Sequence, residues 1–167
     1  MIKKIFITIL LSITLISNSY SAGSSSSGGE GDGPKTKTNY EKAVKLIKSA
    51  NKFEKKGKKD KAQSSYEKAL KLLLKSNNKK PNKPDTLNYL GFTSRKLGDF
   101  ENGEKYYLQG LAIEPNHIGI NEYLGELYVA TNRHNLAVER LEVLKGCDCK
   151  EYDDLKAIIA GEKVSKY

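Results

Sequence analysis

One spacing of small and turn-forming residues occurs three times and constrains the fold of this chain more than any other feature. In each copy, a small residue is followed seven positions later by glycine or asparagine, and five positions after that by another small residue. The copies begin 41 and then 34 residues apart. They comprise Ala50, Gly57 and Ala62; Gly91, Gly98 and Gly103; and Gly125, Asn132 and Ala137. Such a period predicts stacked copies of one supersecondary unit.

Apolar residues around each copy recur at the spacing of an α-helix, with almost no strand-like alternation. On either side of Gly57 they are Val44, Ile47, Ala50 and Phe53, and then Tyr66, Ala69, Leu70 and Leu73. Glycine and asparagine tolerate the left-handed backbone of a tight turn, so each copy is predicted to be two antiparallel helices. One helix pair leaves an apolar face in water, so several must stack. The sequence therefore predicts an all-α fold of three hairpins.

The second copy resembles the tetratricopeptide repeat, a family of helical hairpins. The resemblance rests on Leu90-Gly91-Phe92, on the segment LGDFENGEKYY at 97–107 and on LAIEP at 111–115. The third copy shares Leu124, Gly125, Tyr128 and Ala137 with the pattern, and the first shares mainly its second helix, Gly57 to Leu73. The resemblance implies a right-handed superhelix whose concave side is lined by the first helix of each hairpin.

The two ends of the chain differ from the repeats. Glu151–Tyr167 carries Leu155, Ile158 and Ile159 on one helical face, which predicts a helix that caps the last hairpin. Residues 1–21 have the basic, apolar and small-polar layout of a secretory signal peptide. The Gly/Ser-rich segment 22–38 is predicted to be a flexible linker. The predicted repeat domain is 39–167, with repeats at about 43–76, 84–117 and 118–150 and the capping helix at about 151–166.

The net charge of +9 combines two blocks of opposite sign. Residues 35–83 hold 17 lysines against four acidic side chains, whereas residues 84–167 hold ten basic and 14 acidic side chains. The basic block suits an anionic envelope surface, and the alternative is a solvated lysine-rich helix face. The division also makes self-association, head to tail, a hypothesis. Nucleic acid is not expected as a partner, because lysine greatly outnumbers arginine and no aromatic run offers base stacking.

The resemblance implies that a peptide or protein segment binds in the concave groove. Between the core positions, the first helices are expected to present outward-facing side chains there, namely Ile47, Asn51, Glu54, Asn88, Phe92, Arg95, Glu122, Glu126 and Val129. Phe92 and Arg95 stand out because aromatic and arginine side chains often carry binding energy, although Phe92 has the alternative of packing on the next repeat. One subclass of the family grips a C-terminal carboxylate with Lys, Asn and Arg residues. Only Asn51 matches that set, so this binding mode is not expected.

The motif Cys147-Asp148-Cys149 is the most specific chemical feature of the chain. An exported chain usually meets an oxidising compartment, so one interpretation is a cross-linked or packed turn between hairpin and cap. The alternative is a small periplasmic thiol-redox or copper-handling protein, with Lys145 and Lys150 stabilising the thiolates. Two sulfurs without a nearby His or Met are few ligands, so neither a metal site nor a cofactor is expected.

The arrangement of reactive residues gives no indication of an enzyme. No Ser, Cys or Lys nucleophile is placed beside a base, and His117 and His134 are expected at the surface. The sequence therefore predicts an exported, periplasmic and noncatalytic interaction module with a protein or peptide partner of unknown identity.

Overall fold

A computed structural model describes residues 37–165 of the 167-residue chain. In that range the chain forms seven α-helices and no β-strand. They are α1 (Asn39–Lys55), α2 (Lys59–Lys79), α3 (Pro84–Lys96), α4 (Phe100–Ile113), α5 (Ile118–Ala130), α6 (His134–Leu144) and α7 (Lys150–Ile159). The expected signal peptide at 1–21 and most of the expected linker at 22–38 lie outside the described residues. None of the described helices is long and apolar enough to cross a bilayer.

The helices form three antiparallel hairpins followed by a terminal helix. Helix α1 packs on α2, α3 on α4 and α5 on α6, while α7 lies against both α5 and α6. All three predicted turn residues adopt the left-handed conformation, with φ of 69° at Gly57, 85° at Gly98 and 59° at Asn132. The predicted all-α fold of stacked hairpins with a C-terminal cap is therefore confirmed.

Small residues of the repeat let the helices approach closely. A Cβ atom on Gly91 would lie 2.5 Å from the ring of Tyr107, which is fully buried between α3 and α4. A Cβ atom on Gly125 would lie 2.6 Å from the side chain of Leu155 on α7. These positions require glycine because close-packed interiors leave no room for an added carbon.

Side-chain hydrogen bonds cap the first turns of α1 and α5. Thr38 and Glu41 form a capping box at α1, in which the Glu41 N–H donates to Thr38 Oγ1 at 3.2 Å and the Thr38 N–H donates to Glu41 Oε2 at 2.8 Å. These hydrogen bonds hold the pKa of the Glu41 carboxyl below its usual value. At α5, His117 Nδ1 accepts from the Ile120 N–H at 3.2 Å. The expected surface position of His117 is wrong, because its side chain is only 13% exposed while it caps this helix.

The terminal helix is shorter than the sequence predicts. Helix α7 ends at Ile159, and Gly161 follows it with φ of 74°. The N–H of Glu162 donates to the carbonyl of Ala157 at 2.9 Å, which closes the helix end in the manner of a glycine C-cap. Residues 160–165 therefore form a tail rather than the last turns of the cap.

Candidate functional site

The first helices of the hairpins lie side by side along one face of the stack. Helix α1 contacts α3, α3 contacts α5, and α5 contacts α7, whereas α2, α4 and α6 make no contact with one another within the described range. A stack curves toward the row of helices that touch. We call α1, α3 and α5 the inner helices, α2, α4 and α6 the outer helices, and the surface along the inner row the groove.

With tyrosine set aside, the inner helices α3 and α5 carry every buried polar or charged side chain of the described range. These residues are Thr86, Asn88, Thr93, Ser94, Arg95, Asn121, Glu122 and Glu126. The outer helices bury only aliphatic side chains, tyrosine and glycine. Because burying polar groups carries a free-energy cost, this concentration on one row distinguishes the groove from an ordinary packing face.

A buried ion pair links the second and third hairpins at the groove. Arg95 Nη2 lies 3.1 Å from Glu126 Oε2, and neither side chain is exposed. Arg95 Nη1 also donates to the Tyr123 carbonyl at 2.6 Å. On the other side, Ser165 of the C-terminal tail donates from Oγ to Glu126 Oε2 at 3.0 Å. The tail thus returns to the groove beside α5.

Aromatic rings continue along the same row. The Phe92 ring lies 5.3 Å from the Tyr123 ring and 6.2 Å from the Tyr66 ring, measured between centroids. Its side chain thus packs on the neighbouring hairpin, which is the alternative that the sequence left open for Phe92. Burial raises the pKa of Tyr123, and the nearby carboxylates of Glu122 and Glu126 raise it further. The Tyr123 hydroxyl therefore stays protonated at ordinary pH.

A second polar cluster lies where the first hairpin meets the second. The Tyr66 hydroxyl donates to Asn51 Oδ1 at 2.5 Å and contacts Glu54 Oε2 at 3.0 Å. Lys96 Nζ lies 2.7 Å from the same Glu54 oxygen. Burial, followed by the Glu54 charge, raises the pKa of Tyr66, so this hydroxyl also remains a donor. Asn51, the one residue matching the carboxylate-gripping pattern, is already engaged by Tyr66.

Two acceptor atoms of the groove lack a donor in the described range. Asn88 Oδ1 on α3 and Glu126 Oε1 on α5 are buried, and neither receives a hydrogen bond. Native proteins satisfy most buried acceptors, so these two atoms are exceptions within the inner row.

The structure brings the nine predicted groove residues onto the inner helices, but their expected outward exposure is largely wrong. Ile47, Asn88, Phe92, Arg95, Glu122 and Glu126 are buried. Asn51, Glu54 and Val129 are half-buried. Ile47 belongs to the apolar core. The other five buried residues are covered because neighbouring inner helices are in contact, so that side chains of one helix pack against the next helix.

Sequence reasoning left Tyr66, Lys96 and Tyr123 out of the groove. Tyr66 lies on an outer helix and was assigned to the core by its periodicity, yet its hydroxyl reaches the inner row. Tyr123 lies on α5 beside Glu122 and packs against Phe92. A search for tyrosines near the contacts between hairpins would have found both Tyr66 and Tyr123.

The two cysteines lie in the turn between α6 and α7. Their Sγ atoms are joined in a disulfide. Asp148 between them and Gly146 before them have φ of 47° and 91°, so the backbone of this turn is left-handed at two positions. Within residues 37–165, no group of three or more His, Cys, Asp and Glu side chains is placed to hold a metal ion.

Comparison with known families agrees with this geometry. The family model described as tetratricopeptide repeat matches residues 50–72 and 85–117, which cover parts of the first two hairpins. The resemblance to tetratricopeptide repeats is confirmed for these segments. Helix α3 and helix α4 together form the second tetratricopeptide match, so its first helix is one of the inner helices. No curated protein matches this chain.

Solved tetratricopeptide domains share the fold. The first domain of Spaghetti (RPAP3), bound to the HSP90 peptide SRMEEVD, is 20% identical, with 77% of this chain and 98% of that chain covered and a TM-score of 0.53. The second domain of human RPAP3, in complex with the HSP70 peptide SGPTIEEVD, is 18% identical, with 73% and 98% covered and a TM-score of 0.51. At these identities the likeness shows the fold alone.

Proposed function

We propose that this protein is a noncatalytic interaction module that binds a peptide segment in the groove of α1, α3 and α5. The observation that carries the proposal is the concentration of buried polar side chains on α3 and α5, including the unsatisfied acceptors of Asn88 and Glu126. An extended peptide has backbone N–H groups at regular spacing, and these donate to such acceptors once the side chains that cover them move aside. The tetratricopeptide neighbours solved with peptides support a binding role for the fold.

The chemistry of the groove argues against an acidic C-terminal tail as the ligand. The peptides of the two solved neighbours both end in EEVD. Here Glu54, Glu122 and Glu126 line the groove, while Arg95 and Lys96 pair with two of these carboxylates. A peptide with a basic or neutral end is therefore the better match.

Selection from a random peptide library against the chain purified without residues 1–21 tests this proposal. We expect selected peptides to shift the amide resonances of α3 and α5 and to bind Asn88→Ala about tenfold more weakly, since that variant loses a buried acceptor. Gln109→Ala, an exposed change on α4, is the matched control and should bind normally. Peptides that bind both variants equally and shift the outer helices instead would contradict the proposal.

The proposal includes export to the periplasm, which is supported by the layout of residues 1–21. Expression of the full chain in a Gram-negative bacterium, followed by osmotic shock, tests it. We expect the released protein to begin at Ala22 by mass spectrometry. Uncleaved protein that remains with the cytosol would contradict this part of the proposal.

The thiol-redox or copper-handling alternative has one supporting observation, the disulfide of Cys147 and Cys149. Replacing both cysteines with serine separates the two functions. If the protein is an interaction module, the variant binds the selected peptides as the unchanged chain does. Loss of Cu(I) binding or of exchange with a dithiol, with weakened peptide capture, would favour the alternative.

A further inference from the structure

A lysine-lined cavity lies apart from the nine predicted groove residues. It has a volume of about 600 Å³ and opens where α1 begins, α2 ends and α3 begins. Four of the ten lining residues are lysines, Lys37, Lys79, Lys80 and Lys83. The other lining residues are Thr38, Asn39, Tyr40, Ser76, Asp85 and Thr86. The cavity therefore combines concentrated positive charge with several neutral hydrogen-bonding side chains.

Two nearby carboxylates, those of Asp85 and Glu41, offset only part of this charge. None of the four lysines forms an ion pair with a described residue. Asp85 is the one acidic residue of the lining, and its Oδ1 atom lies 3.3 Å from His117 Nε2. Glu41, whose carboxylate is near Lys37, is bound to Thr38 in the capping box. Like charges grouped around a cavity repel one another until an anion enters.

The N-terminus of helix α3 lies at the same cavity. Helix α3 begins at Pro84 without a side-chain cap, and its next residues, Asp85 and Thr86, are part of the lining. The first N–H groups of a helix have no partner within the helix and carry partial positive charge. Tyr40 adds a hydroxyl to the lining. Burial, and after it the effects of Asp85 and Tyr89, raise the pKa of this hydroxyl to about 12, so that it stays a donor.

We propose that this cavity binds a phosphate-bearing anion, and that a diphosphate or oligophosphate group fits it best. Lysine ammonium groups are compact point charges on flexible stems, which can surround a tetrahedral phosphate from several sides. A planar carboxylate is better matched by the paired donors of arginine, and no arginine lines the cavity. The phosphate can come from a soluble polyphosphate or from a lipid headgroup.

Calorimetric titration at physiological ionic strength tests the site with sodium pyrophosphate and sodium tripolyphosphate as probes. Flotation with phosphatidylcholine vesicles, with and without phosphatidylglycerol, tests the lipid source. The protein is the full chain without residues 1–21. The test variant carries three lysine-to-glutamine changes in the cavity, at Lys79, Lys80 and Lys83. The matched control removes the same charge from the exposed face of α1, at Lys45, Lys48 and Lys52.

We expect saturable binding to one probe class, weakened about tenfold or more by the cavity variant and less than about twofold by the control. Saturation with pyrophosphate or tripolyphosphate assigns a soluble ligand, and binding only to the anionic vesicles assigns a headgroup. Equal weakening in both variants would overturn the proposal, because it would show a general charge effect. The absence of binding to every probe would overturn it as well. Peptide binding in the groove is measured separately, so failure here leaves that proposal intact.

Discussion

Gly91 is the residue on which the packing of the second hairpin depends most directly. Because a Cβ atom there would lie 2.5 Å from the Tyr107 ring, we expect Gly91→Leu to lower the free energy of unfolding by about 1–3 kcal/mol. Chemical denaturation followed by circular dichroism measures the change. Gln109→Leu adds the same side chain on the exposed face of α4 and should change stability by less than about 0.5 kcal/mol. An unchanged stability of Gly91→Leu would contradict the repeat alignment.

Asp154 makes stability depend on pH. Hydrogen bonds from Lys150 and then Lys163 lower the pKa of its carboxyl from 3.8 to about 2. Since the folded chain protonates this group less readily than the unfolded chain does, its stabilisation is present above about pH 4 and is lost as the pH falls toward 2. We expect Asp154→Asn to cost about 1 kcal/mol or less near neutral pH, because solvent screens the exposed ammonium of Lys150.

Thermal melts of Asp154→Asn across this pH range check the prediction. Asp153→Asn, an exposed change one position earlier, is the control and should melt as the unchanged chain does at each pH. A difference between Asp154→Asn and the unchanged chain that persists undiminished at the acid end would contradict the assigned role.

The turn residues could be predicted because a left-handed backbone restricts the residue type. Gly57, Gly98 and Asn132 all have positive φ, as their identities indicated. The burial of Arg95 and Glu126 could not be predicted in the same way. Helical periodicity assigns charged residues to solvent. Only the contact between the inner helices shows that Arg95 and Glu126 form a buried ion pair.

At the scale of the helices, the Arg95–Glu126 pair is a buried polar link between α3 and α5. Breaking it with Arg95→Met should lower the free energy of unfolding by about 3–5 kcal/mol, because Glu126 keeps a buried charge without this partner. The double variant with Glu126→Met should recover a large part of that loss. Double-mutant cycles measure the coupling.

The exposed Lys145–Glu142 pair provides the control for this cycle, and its coupling should be about 0–0.5 kcal/mol. Effects of Arg95→Met and Glu126→Met that simply add would contradict a linking role for the buried pair.

Helix ends were harder to predict than helix pairing. The segment 75–83 has the composition of a loop, yet α2 continues to Lys79. Pro81 follows two residues later, and the residue before a proline is disfavoured in the helical conformation, which accounts for the end of α2. At α7 the reverse occurs, because Gly161 ends the helix before the polar residues that sequence periodicity had included in it.

At the scale of the whole molecule, the two charge blocks of the sequence correspond to different sets of helices. The basic segment 35–83 contains α1 and α2, whereas the net-acidic segment 84–167 contains the remaining helices. Two hypotheses follow from this polarity: it steers a partner toward one end of the groove, or it pairs two copies head to tail. Sedimentation velocity at low and high salt separates these hypotheses. A dimer that dissociates as salt rises supports pairing, and a monomer at both salt concentrations contradicts it.

The central claim is that the inner row of helices, rather than the outer row, contacts the partner. Site-specific photo-crosslinking in cells tests it most directly. The inner positions for the photoreactive residue are Asn51 and Val129, which are half-buried. The outer positions are Leu108 and Val138, which are 48% and 43% exposed. We predict that both inner positions crosslink the same partner and that neither outer position does. Crosslinks to that partner from the outer positions alone would contradict the account.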